Sequence, residues 1–197
     1  MSDSEKDPEV VATRRVFAGR VFDVRCDQIR WGDGQTASLD IVEHGDSVAI
    51  VAVTTAGELL LVRQYRRAAS AFLWEVPAGC VEPGETPVEG AHRELAEETG
   101  FRAGRLRSLG GCWVTPGYCD EFLHFVLAED LLSGSQDLDE DERITVAAVS
   151  PSNARQMVAR GEICDAKTLL AIAWLHGDRL QLLGAPSDNS DSGPAAS

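Results

Sequence analysis

The 197-residue chain carries 32 acidic and 18 basic residues, a net charge of −14, and is 44% hydrophobic. The apolar share excludes a disordered chain, and the length suits one domain with a substantial core. So acidic a chain excludes a nucleic-acid scaffold, which needs a basic surface; a phosphorylated ligand must be held through bridging cations and a few local arginines.

No apolar run approaches the ~18 residues of a membrane span. The segment Met1–Glu9 is polar, without the basic start and apolar stretch of a secretory signal, so the expected location is cytoplasmic with no membrane partner. Cys26, Cys80, Cys112, Cys119 and Cys164 fall at irregular spacing, with no C-x-x-C pair, and read as small buried or half-buried thiols. His44, His92, His124 and His176 lie too far apart for a zinc site.

In chain order, residues 1–12 read as a tail, 13–45 as amino-terminal strands, 46–184 as the main domain and 185–197 as a second tail. Val21–Trp31 and Gln35–Glu43 are β-runs joined by a hairpin signal at Gly32-Asp33-Gly34. Val48–Val53 is an unbroken apolar run suited to a buried strand. Glu58–Tyr65 follows a turn at Thr55-Ala56-Gly57, and a short strand at Trp74–Val76 meets Pro77-Ala78-Gly79. A strong helix starts after Thr86, with Pro87 at its first position and Glu89 completing a capping box, and stops at Gly100. Strands are expected at 105–114, 121–127 and 144–149. Helices follow at Pro151–Arg160 and Ala166–His176, the second capped by Asp165. The alternation predicts an α/β fold, a mixed sheet covered on both faces.

On the helix over 87–99, Val88, Ala91, Leu95 and Thr99 share one face and should dock on the sheet. Glu94, Glu97 and Glu98 take the adjacent side. Three glutamates alone read as a solvated acidic face. Their neighbours add meaning: Gly79 precedes the loop, Glu85 ends it, and Arg93 opens the cluster one helical turn before Glu97. Hard oxygen donors clustered at a helix edge suit Mg²⁺ or Mn²⁺, which bind substrate phosphates.

The segment from Gly79 to Phe101, with Glu85, Arg93, Glu94, Leu95, Glu97, Glu98 and Gly100 between, matches the Nudix box G-x5-E-x7-R-E-U-x-E-E-x-G-U at nine specified positions over 23 residues. The chain resembles the Nudix hydrolases. Arg63-Gln-Tyr-Arg66, Trp74-Glu75-Val-Pro77-Ala78-Gly79, Thr115-Pro116-Gly117 with Glu121, Asp165-Ala166-Lys167-Thr168 and Val42-Glu43-His44 extend the likeness to the ADP-ribose pyrophosphatase branch. Pro116 stands fifteen residues beyond Phe101, where that branch carries a proline.

The resemblance implies a Nudix α/β/α sandwich that hydrolyses the pyrophosphate bond of a nucleoside diphosphate linked to another group. ADP-ribose, split to AMP and ribose 5-phosphate, is the first expectation. GDP-mannose, a UDP-sugar, a dinucleoside polyphosphate or non-catalytic nucleotide binding are the alternatives. By the same matching, Glu94, Glu97 and Glu98 with the carbonyl of Ala78 hold Mg²⁺ (or Mn²⁺), and Glu98 belongs to the catalytic set. In the acidic loop Asp137–Glu142, Glu140 maps to the general base and Glu142 to an extra metal ligand. Arg63, Arg66, Glu75, Pro116 and Glu121 map to substrate contacts. Arginine's fork of donors suits phosphate, and Arg66 is the preferred contact. Trp31, Trp74 and Trp113 serve as packing or as a stacking platform for a purine. The amino-terminal strands resemble those that this branch pairs into a homodimer.

Overall fold

The structure, a computed structural model, describes residues 7–136 and 143–175. Backbone contacts group the chain into two units, Met1–Asp46 with Trp113–Leu123, and Ser47–Cys112 with His124–Ser197. Among the described residues no helix is long and apolar enough to cross a membrane.

The first unit is built on an antiparallel sheet of β1 (Glu9–Ala18), β2 (Asp23–Arg30) and β3 (Thr36–Glu43), in that order. The Gly32–Gly34 signal forms the expected hairpin, in which the Trp31 amide donates to the Gln35 carbonyl at 2.8 Å. Val42 of β3 bridges in parallel to Cys119. The Asp120 carboxylate accepts the His44 amide at 2.7 Å, fixing residues 113–123 to this unit. One expectation is corrected: residues 9–12 are not tail but the start of β1, with Glu9 paired to Arg30 and Ala12 to Gln28. All ten residues of β1 are exposed, so the strand has no buried face to impose apolar alternation on its sequence.

In the second unit, β4 (Ser47–Ala52) lies in the sheet order β7-β4-β9-β8, with β7 (Ala78–Cys80), β8 (Phe101–Trp113) and β9 (Phe122–Ser133). A second sheet has the order β10-β5-β6, from β10 (Thr145–Val149), β5 (Leu59–Arg66) and β6 (Ala71–Glu75). Every residue of β4 is buried, as its unbroken apolar run requires of a strand covered on both faces. Helix α1 (Pro87–Thr99) lays Ala91 and Leu95 on Val48, Ile50 and Ala52 of β4 and Val126 and Ala128 of β9. Fully burying a side chain such as Leu95 stabilises by ~1.5–3 kcal/mol. Helices α2 (Pro151–Ala159) and α3 (Ala166–Leu175) follow, α2 capped by the Ser150 hydroxyl, which accepts the Asn153 amide. The fold is α/β, as expected.

Candidate active site

The site is organised by the ends of α1. At its start Thr86 and Glu89 satisfy each other's backbone amides, with Pro87 in the first turn. At its end Gly100 takes a left-handed φ of 74° and returns its amide to the Ala96 carbonyl. A side chain at that φ would be strained. The two ends fix the helix's rotation, and with it the direction of its glutamates.

Arg93 gathers the acidic edge. Its Nε and Nη2 donate to the two oxygens of Glu85 at 2.9 and 3.0 Å. Nη1 reaches Glu94 at 2.8 Å and Glu97 at 3.0 Å, and Nη2 also meets the Cys80 carbonyl at 2.9 Å. The pKa of Arg93 is raised above its ordinary value, first by the Glu85 hydrogen bond. The same bond, with the Glu82 amide, holds Glu85 below the usual carboxylate range. Glu85 therefore ties the loop to the helix.

Glu98 is buried, at 4% exposure, and its Oε2 accepts the Ala78 amide at 3.0 Å. Gly79 leaves the space that the Glu94 carboxylate occupies, and a Cβ there would displace it. Gln136 donates its side-chain amide to the Glu98 carbonyl at 2.5 Å. The structure thus brings Glu94, Glu97, Glu98 and Ala78 into one neighbourhood. Glu140 and Glu142 lie outside the described residues.

The donor set fits a hard divalent cation: three carboxylates on one helix edge, two of them on a single guanidinium nitrogen, and the third against the backbone of the loop strand. Among the described residues no three His, Cys, Asp or Glu side chains stand grouped as they would to hold a metal ion. Glu94 and Glu97 are instead gathered by Arg93.

The expected substrate contacts separate. Arg63 and Arg66 lie on opposite faces of β5, three residues apart on a strand of period two. Arg63 stacks its guanidinium over Phe72 at 4.6 Å. Arg66 donates Nε and Nη2 to Glu75 at 2.9 and 2.8 Å, and its pKa is raised first by that bond and, to a smaller extent, by the charge of Glu98. Glu75 is 1% exposed and takes a third bond, from Lys167 at 2.6 Å. Pro116 is exposed and Glu121 half-buried, both in the first unit, where the Glu121 carbonyl accepts the Val114 amide. Sequence reasoning gave Lys167 no role. The available signal was the Asp165–Thr168 segment itself, which matched the branch without an assigned function.

A glutamate-edged helix behind a glycine loop, with arginine close by, defines a class of phosphate-bond hydrolases. The NUDIX domain model matches residues 43–171, and the chain belongs to this family as a Nudix pyrophosphohydrolase. It is 37% identical over 171 residues to the ADP-ribose pyrophosphatase of Bacillus subtilis, covering 86% of this chain and 92% of that protein. It is 33% identical over 171 residues to the methanol dehydrogenase activator of Bacillus methanolicus, with the same coverage of 86% and 92%. A crystal structure of an ADP compounds hydrolase superposes with a TM-score of 0.78 at 24% identity, over 91% of this chain and 97% of that one, and has the same fold.

Proposed function

We propose that this protein hydrolyses ADP-ribose to AMP and ribose 5-phosphate with Mg²⁺, Mn²⁺ serving in its place. The observation that carries the reading is the buried Glu98 carboxylate set against Ala78, with Glu94 and Glu97 beside it and Arg66 within electrostatic reach. The choice of ADP-ribose follows the name of the Bacillus subtilis relative and the branch-like segments around Arg66, Glu75 and Pro116.

In the reaction a water oxygen bonds to one phosphorus, the bridging P–O bond breaks, and the water's protons are shed. A divalent cation supplies charge neutralisation on the phosphate oxygens and a more acidic water. Glu94, Glu97, Glu98 and the Ala78 carbonyl would hold it, with Glu142 as a further ligand. Glu140 accepts the proton of the attacking water. Arg66 binds phosphate through the donors that Glu75 does not take, and Glu98, anchored by the Ala78 amide, belongs to the catalytic set. Arg63, Pro116 and Glu121 are further contacts for the substrate. The protein acts in the cytoplasm as a homodimer paired through its amino-terminal strands, a reading supported by the apolar side chains that β1 leaves exposed.

Product analysis with Mg²⁺ against ADP-ribose, GDP-mannose, UDP-glucose, NADH and diadenosine polyphosphates tests the substrate. AMP and ribose 5-phosphate should form fastest from ADP-ribose, and Glu98→Gln should lower kcat by about 10²-fold or more. Faster turnover of another compound replaces the substrate, while no turnover of any leaves a binding module.

A further inference from the structure

Lys167 and Glu75 stand 92 residues apart in sequence, yet they meet in one part-buried network with Arg66. Glu75 Oε2 accepts from both Lys167 Nζ at 2.6 Å and Arg66 Nη2 at 2.8 Å, while Oε1 accepts Arg66 Nε at 2.9 Å. Lys167 is itself set between two carboxylates, since its Nζ lies 3.0 Å from Asp165 Oδ2. That same oxygen accepts the Thr168 amide and hydroxyl at 3.1 and 2.7 Å. The Thr168 hydroxyl takes the buried Val76 amide at 2.8 Å, next to Glu75 in the chain. The first turn of α3 is therefore bolted to the end of β6.

We propose that Lys167 is a positioning residue that shares the charge of Glu75 and so keeps Arg66 available for the substrate's phosphate; this rests on the reading of Arg66 as a phosphate ligand. A buried carboxylate needs cationic partners, because its desolvation is costly. Were Arg66 the sole partner of Glu75, their bidentate pair would be neutral, and the full carboxylate charge would compete with a phosphate for the guanidinium. With Lys167 on Oε2, the Glu75 charge is divided between two cations. Arg66 is held by one edge in a fixed plane, and its Nη1 has no hydrogen-bond partner among the described residues. Its side chain remains 40% exposed, against 16% for Lys167 and 2% for Glu75. Arg66 thus presents the donors, and the two residues behind it set their direction and their charge.

The test uses inorganic pyrophosphate, titrated onto the full-length protein in EDTA, and steady-state kinetics with ADP-ribose and Mg²⁺. Lys167→Met should weaken pyrophosphate binding and raise KM about tenfold, with kcat within about twofold; Lys167→Arg should restore both. Lys167→Gln, which keeps a donor for Glu75 without the charge, should weaken pyrophosphate binding in the same direction. That measurement stands even if Lys167→Met does not fold. Unchanged pyrophosphate affinity in Lys167→Met or in Lys167→Gln would overturn the proposal and leave Lys167 a structural tie. Lys167-dependent pyrophosphate binding in a protein that does not hydrolyse ADP-ribose would support it and end the substrate reading instead.

Discussion

Glu75 poses the question of how a carboxylate can be sealed in a protein core. Burial acts to raise its pKa, but the Arg66 and Lys167 bonds outweigh burial, and the group lies below its ordinary value of 4.5. A carboxylate lowered in this way binds fewer protons when folded than when unfolded. Its contribution to stability is complete above about pH 4.5 and is lost as the pH falls through the folded value. Urea unfolding measured from about pH 7 down to pH 3 should show Glu75→Gln less stable at neutrality and less steeply dependent on acid than wild type. An equal acid slope in the two proteins would show that the charge of Glu75 does not contribute. The sequence could not disclose this network. It singled out Arg66, Glu75 and the Asp165–Thr168 segment separately, but the contacts among them span up to 92 residues and follow only from the docking of α3 on β6. Arg63 shows the converse: proximity to Arg66 in sequence suggested a shared task, and strand alternation turned it to the other face, onto Phe72.

At the level of the element, α1 was legible from end to end because its signals are local. Thr86, Pro87, Glu89 and Gly100 each act within a turn of the helix end, and the structure places the helix at Pro87–Thr99. Thr86→Ala should lower stability by about 1 kcal/mol in chemical denaturation, with little further loss when Glu89→Ala is added, since each completes the other's bond. Additive losses would show two independent caps. The box glutamates were also legible, as their spacing fixes their shared edge. What the spacing did not disclose was that Glu98 turns inward, to 4% exposure, held by the Ala78 amide from a segment twenty residues earlier. Strand ends were read less well. β8 begins at Phe101 rather than at 105, and β9 runs on to Ser133, because pairing with a neighbour can extend a strand through residues of weak propensity.

For the whole molecule, the first unit carries an edge strand that exposes Val10, Val11, Val16 and Phe17, at 42–57% exposure. Exposed apolar edges favour association. Light scattering should give the mass of two chains for the wild type and of one for Val16→Glu; a single-chain mass for the wild type would refute the dimer. The interleaving of the units has a consequence for how the protein is made. The first unit takes its opening 46 residues from the start of the chain and its remaining eleven, Trp113–Leu123, from beyond the Nudix box. As the chain leaves the ribosome, the β1–β3 meander emerges early, but the segment that bridges Val42 to Cys119 arrives only after more than sixty further residues have been added. Domains that are contiguous in sequence can fold in turn during synthesis. Here the earlier-synthesised unit must wait for its last piece, so truncation after Asp46 leaves it without the Cys119 bridge to Val42.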